Sequence, residues 1–224
     1  MRAVTRTSTA HLTAMSVSRN LEEAIANYEL FAPTGVNAEL IDCINARKLN
    51  PGFNVISASL HHVIVISLCR IWDNRKGVAS LWSINTLLKT NAYQDEREYI
   101  VKSSGYESTF SFDEHRFVDW SGKLDRASRS DSLAAIKVTR NNWLAHTAAP
   151  DAIYRGVARA EVYGDERNVI EMTIPLVEEA NALIGHEFFD FNILKQKWMD
   201  EAAIYWSAAA SVGHGAPPSG RIGA

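Results

Sequence analysis

What this chain of 224 residues lacks narrows it before any motif is read. It has only two cysteines, Cys43 and Cys69, too few for a disulfide framework. Both fall in apolar helical patterns where a reduced, buried thiol is the expected state, so the sequence predicts a cytoplasmic protein. The longest mostly apolar stretch, Val63 to Leu68, is far short of the roughly 20 residues a membrane span needs. No membrane partner is expected. Glycine (12) and proline (6) are sparse, while helix-favouring alanine reaches 29. An excess of positive charge is also missing: 23 Lys and Arg stand against 26 Asp and Glu, for a net charge of -3. A protein that coats nucleic acid through bulk charge is thereby excluded, and any polyanion must meet a local patch. Glycine-rich phosphate loops, dinucleotide fingerprints and nucleophile elbows are absent. His61 and His62 have no Cys, Asp or Glu at a zinc-ligand spacing, so neither a metal nor another cofactor is expected.

What remains is helical periodicity. Residues 1–19, rich in Arg, Ser and Thr without acids, lack a convincing apolar face and read as a flexible segment. The capping pair Asn20 and Glu23 then opens a helix through Leu21, Ala24, Ile25, Tyr28 and Phe31. A second helix runs from Asn37 through Leu40, Ile41 and Ile44 to a turn at Asn50-Pro51-Gly52, and a third from Phe53 to Lys76. A fourth covers Ala79 to Thr90. Residues 91–111 read as a short helix plus loop, Phe112 to Arg129 as a helix, and Asp131 as the N-cap of another that Pro150 stops. Residues 151–171 alternate weakly, as a small hairpin or irregular connection would. Two closing helices follow, Thr173 to Ile184 and Phe191 to Ala210. The expectation is one all-α domain over 20–210, with a disordered tail over 211–224. Trp82, Trp120, Trp143, Trp198 and Trp206 fall mostly at core spacings rather than as base-stacking platforms.

The segment Arg140-Asn141-Asn142-Trp143-Leu144-Ala145-His146 places an arginine, an amide and a histidine on a helix of otherwise core-like residues. With 15 arginines and 7 histidines, bare Arg-to-His spacings of this kind arise about once by chance. There are two. The other, Arg6 with His11, lies in the N-terminal segment with no helix expected to hold it. Asn141 directly after the arginine, Ala145 before the histidine and a helix late in an all-helical chain distinguish the first match.

These features resemble the signature of the HEPN superfamily, arginine then four to six residues then histidine. Leu68-Cys69-Arg70-Ile71-Trp72-Asp73, Ser80-Leu81 and Leu87-Leu88 resemble its abortive-infection branch. The resemblance is strongest over residues 60–90 and 130–150. It implies a helical bundle with long antiparallel helices, a homodimer whose two arginine-histidine helices meet in a cleft, and metal-independent RNA cleavage in a toxin or phage-defence setting, where an antitoxin partner would be at home. Arg140, Asn141 and His146 take the catalytic positions. A tyrosine modified in some relatives two residues after the histidine is replaced here by Ala148, which puts that mode of regulation in doubt.

The residue types fit such chemistry. A histidine titrating near neutrality can take the proton of a ribose 2′-hydroxyl or give one to the leaving 5′-oxygen, and an arginine can stabilise charge building on phosphorus. Six residues apart on a helix, Arg140 and His146 are separated by about 120° around the axis and roughly 9 Å along it. A two-fold pair of helices would unite one protomer's arginine with the other's histidine. The plainer reading is a salt bridge for Arg140 and a C-terminal helix cap for His146.

Ser59, His62, Arg70 and Asp73, with Ile66 between, form a polar stripe that could line the cleft, with His62, Arg70 and Asp73 as supporting groups. An Arg70–Asp73 ion pair with a satisfied core histidine is the bland alternative. Lys123, Arg126, Arg129, Lys137 and Arg140 outweigh Asp125 and Asp131, a phosphate-facing patch or a solvated helix face. A catalytically silent module binding RNA, a nucleotide or a protein partner is the rival to the enzyme, and an unrelated structural bundle is another.

Overall fold

The computed structural model describes residues 9–90, 113–145, 162–185 and 190–211, and these are all-α, with no strand among them. The helices are α1 (Thr9–Phe31), α2 (Pro33–Val36), α3 (Ala38–Ala46), α4 (Asn50–Ile71), α5 (Leu81–Leu88), α6 (Glu114–Ala127), α7 (Asp131–Ala145), α8 (Asp165–Ile184) and α9 (Phe191–Ser211).

Helix α1 is the spine. Ala10, Ala14, Val17, Leu21, Ala24, Ile25 and Tyr28 recur every three or four residues and are buried along one stripe. Helix α4 packs on it most extensively, and α5, α8 and α9 pack on it as well. The small alanines of the stripe let backbones approach closely. Across α1 and α4 the Ser67 hydroxyl donates to Glu23 Oε2 at 2.7 Å, which satisfies a polar group buried in the contact. The C-terminal half of α4 supplies Ile64, Val65, Leu68, Cys69 and Ile71 to the core, and α8 supplies Val169, Ile170, Val177 and Leu183.

Two buried tryptophans fix α8. Trp72, just past α4, donates its indole N–H to Thr173 Oγ1 at 2.9 Å. Trp120 of α6 donates to the Leu176 carbonyl at 2.9 Å. A smaller apolar cluster of Leu40, Ile44, Ala202 and Trp206 joins α3 to α9, apart from the main core.

Several boundaries differ from the sequence expectation. Helix α1 begins at Thr9, not Asn20, and Asn20 sits inside it with its side-chain amide donating to the Ser16 carbonyl. The flexible 1–19 segment is thus corrected from Thr9 onward: its apolar face is made of Ala10, Ala14 and Val17, small residues that carry little hydrophobic signal. His11 consequently lies on a rigid helix, whereas Arg6 falls outside the described residues. Asn50-Pro51-Gly52 opens α4 instead of forming a turn, because proline suits the first helical turn, where N–H groups have no partner. The same helix ends at Ile71 rather than Lys76. Helix α8 starts at Asp165, eight residues before Thr173, and carries Pro175 in its interior. Its first-turn acids are both buried, so the polar letters there mark an inward-facing helix start.

Helix α4 is long and apolar enough to cross a membrane by length and composition, a test that a core helix of a soluble protein also passes. A count of uninterrupted apolar residues misses this because serines and histidines punctuate it. Its first half exposes Val55 and Ile56.

Candidate functional site at the corner of α4 and α7

Helix α7 is capped by Ser130, whose hydroxyl accepts from the Leu133 amide at 3.3 Å, while the expected cap Asp131 lies in the first turn. Leu133, Ala135 and Ile136 are buried, which anchors α7 against α4 and α8 and presents Lys137, Arg140 and Asn141 at its far end. Arg140 is half-buried. Its guanidinium donates through Nε (3.2 Å) and Nη2 (3.0 Å) to Asn141 Oδ1, so the neighbouring amide holds the plane of the arginine. His146 follows Ala145 directly and lies outside the described residues, as does Ala148; the Trp143 side chain is also outside them.

Opposite stands the turn that ends α4. Asp73 is buried, and both its oxygens are taken by Arg75: the Arg75 amide and Nε donate to Oδ1 at 2.9 and 3.0 Å, and Nη2 donates to Oδ2 at 2.5 Å. An aspartate accepting from the amide two residues on is the geometry that breaks a helix into a turn. The hydrogen bonds from Arg75 hold the Asp73 carboxyl below the usual carboxylate range against the opposing effect of burial, and the charge of Arg140 assists. Burial pushes Lys137 below the ordinary lysine range; Arg140 adds to the lowering, while Cys69 and Asp73 oppose it. Lys137, Arg140 and Asp73 thus share one electrostatic neighbourhood. Since Arg75 already neutralises Asp73, Lys137 and Arg140 leave this corner with a local surplus of positive charge.

The rest of the sequence-predicted set separates. Arg70 is exposed and is not the partner of Asp73; Arg75 is, because the turn brings it back onto the carboxylate while Arg70 points from the helix side. His62, with Ser59 and Ile66, lies on the exposed side of α4. Eight residues before Arg70, it is about 12 Å further along the axis, away from the Asp73 turn. Two members of the wider basic patch are spent: Lys123 bridges Asp119 (2.7 Å) and Glu179 (3.2 Å), and Arg129 bridges Asp125 (2.5 Å). Such exposed pairs contribute little stability but do use up the charge.

A second polar cluster escaped the sequence reading. His61, beside the histidine singled out, places Nε2 2.9 Å from Glu166 Oε1, and the other carboxylate oxygen accepts from the Gly164 amide at 3.2 Å. Phe31 stacks on the imidazole with ring centroids 5.3 Å apart. Tyr28 is pushed up to about 12, chiefly by burial. The cluster pins the start of α8 to α4. Its sequence signal was the acid pair Asp165-Glu166 after Gly164, whose φ of 100° suits glycine.

Among the described residues, no group of three or more His, Cys, Asp or Glu is arranged to hold a metal ion. Comparison of the chain with family models, curated proteins and solved structures gives no match.

Proposed function

We propose that this protein is a metal-independent endoribonuclease of the HEPN type, working in the cytoplasm as part of a toxin or phage-defence system, with Arg140, Asn141 and His146 at its centre. The observation that carries the reading is the α4–α7 corner. Lys137 and a half-buried Arg140 gather beside an Asp73 whose charge Arg75 has already cancelled, in a chain whose net charge is -3. Asn141 orients the guanidinium, and His146 follows Ala145, the last described residue of the helix, in the sequence. A preoriented arginine beside a second cation is suited to a phosphodiester gaining charge in its transition state, and the histidine supplies the proton transfers. His62 and Arg70 lie on the exposed side of α4, outside this catalytic group.

The chemistry is an attack of the ribose 2′-hydroxyl on the adjacent phosphorus. The 2′-oxygen loses its proton to a base, the new P–O bond forms as the 5′-oxygen leaves, and that oxygen takes up a proton. A 2′,3′-cyclic phosphate and a 5′-hydroxyl result. The working unit is a homodimer in which Arg140 of one protomer and His146 of the other share a phosphate, with an antitoxin as a further partner.

Cleavage of RNA by the purified protein in chelator, ending in a 2′,3′-cyclic phosphate and lost in His146→Ala and Arg140→Ala, is the expected result. Strict dependence on magnesium, or cleavage by both variants at the wild-type rate, would refute it. RNA binding without cleavage would select the silent module. Mixing the two variants should restore part of the activity in verified heterodimers. A rate unaffected by dilution in a protein that stays monomeric would rule out a shared cleft.

A further inference from the structure

Apart from the residues of the α4–α7 corner, the end of α1, helices α2 and α3, and α9 line a groove of about 820 Å³. That volume lies within the range of small-molecule sites, roughly 300–1,000 Å³. Its walls are mainly apolar, with Leu40, Met199, Ala202 and Trp206 among them. Two buried or half-buried polar groups of the wall are spent inside the protein. The Trp206 indole donates to the Leu30 carbonyl at 2.9 Å, and Cys43 Sγ lies 3.8 Å from the Ala210 carbonyl.

Glu29 is buried and not spent in this way. It lines the groove, is only 9% exposed, and among the described residues has neither a hydrogen bond nor an ion pair. Burial raises its pKa, and the charges around it, Lys195 of α9 with Arg167 and Glu171 of α8, act at a distance. Lys195 is bonded to Glu171 instead. Glu39 adds a second acid to the lining, against a single cation, Arg47. The Glu29 oxygens are not among the fully enclosed polar atoms that lack a partner, so the carboxyl keeps its opening to the groove, where a ligand can supply the missing donor.

We propose that this groove binds an amphipathic organic amine, its apolar body laid between α3 and α9 and its protonated nitrogen on the Glu29 carboxylate. The proposal is independent of the RNA-cleavage reading. Charge complementarity selects the ligand: the apolar wall takes a hydrocarbon of any head group, but the buried Glu29, with Glu39 also in the lining, favours a cation and disfavours an anion.

The test is calorimetric titration of the full chain with three probes sharing one tail: octylammonium, octanol and octanoate. Octylammonium should bind at least about tenfold more tightly than octanol, the worth of one charge-assisted hydrogen bond, and octanoate more weakly than either. Glu29→Gln should remove most of the preference for the amine. Independently of that variant's folding, lowering the pH should weaken octylammonium binding as Glu29 is protonated, while octanol binding stays flat. The amine itself, near the lysine value of about 10.4, remains charged throughout. Absence of octylammonium binding, equal affinity for octanol, preference for octanoate through Arg47, a preference that survives in folded Glu29→Gln, or no pH dependence would each overturn the assignment.

Discussion

Asp73 and Glu29 are both carboxylates taken out of water, and the protein treats them in opposite ways. Asp73 receives three donors from Arg75 through a turn two residues long, and its pKa falls. Glu29 receives none, and its pKa rises. The first arrangement uses up its carboxylate: Asp73 shapes the end of α4 and leaves the neighbouring Lys137 and Arg140 as the uncompensated charges. The second leaves the carboxylate with no bonded donor at the wall of a groove, Lys195 and Arg167 acting on it only at a distance. Burial by itself therefore says little about what a polar group is for; the count of donors left to it says more.

The largest effect expected from separating these regions is on RNA cleavage. Arg140→Ala should lower the rate by about 100-fold or more, the usual loss when one donor to a charged transition state is removed. His11→Ala, at the chance spacing, should leave it unchanged, as measured by initial rates on a labelled RNA. Loss in both variants would mean that the corner has no special claim.

A subtler test uses stability against pH, where the two carboxylates should pull in opposite directions. The folded pKa of Asp73 is lowered, so its contribution is complete above the usual carboxylate pKa and is lost as pH falls through that value toward the folded one. Asp73→Asn should flatten the loss of stability below about pH 4. The folded pKa of Glu29 is raised, so its contribution is present in acid and is lost as pH rises through the raised value. Glu29→Gln should therefore raise Tm more at pH 7 than at pH 4. Urea titrations at several pH values would expose the signs, and the same sign for both variants would erase the contrast.

How far the sequence reveals all this depends on the range of the forces involved. Periodicity located the cores of most helices, since burial of stripes such as Leu81, Ile84 and Leu88 is a local pattern. The start of α3 at Asn37 was legible for the same reason, and the structure adds that its side chain caps the helix by accepting from the Leu40 amide. Helix starts with weak apolar signal, such as Thr9 to Val17, were not. Nor was the choice between Arg70 and Arg75 for Asp73, because helical spacing favours the first and only the break at Ile71 brings in the second. Lys137 and Arg140 were legible as a charged pair on one helix, but their nearness to Asp73 depends on how α7 crosses α4. The His61–Glu166 pair joins residues more than a hundred positions apart, and the groove needs three separate segments to exist at all. No local pattern contains them.

The smallest effect concerns how each region is held. The corner rests on the main core through Leu133, Ile136 and Trp72, whereas the groove wall α3 rests on the small cluster of Leu40, Ile44, Ala202 and Trp206. Asn37 begins α3, its Oδ1 accepting from the Leu40 amide at 3.0 Å, and Asn37→Ala should cost about 1 kcal/mol. Where that energy is lost distinguishes two pictures. If α3 opens separately from the core, its amides should exchange about fivefold faster while the exchange of α1 and α8 and the urea midpoint barely move. If α3 unfolds only with the whole bundle, the midpoint should fall by the full amount and α1 should exchange faster too. The satellite packing of α3 favours the first outcome, and with it a groove whose wall can part to admit a ligand without disturbing the α4–α7 corner.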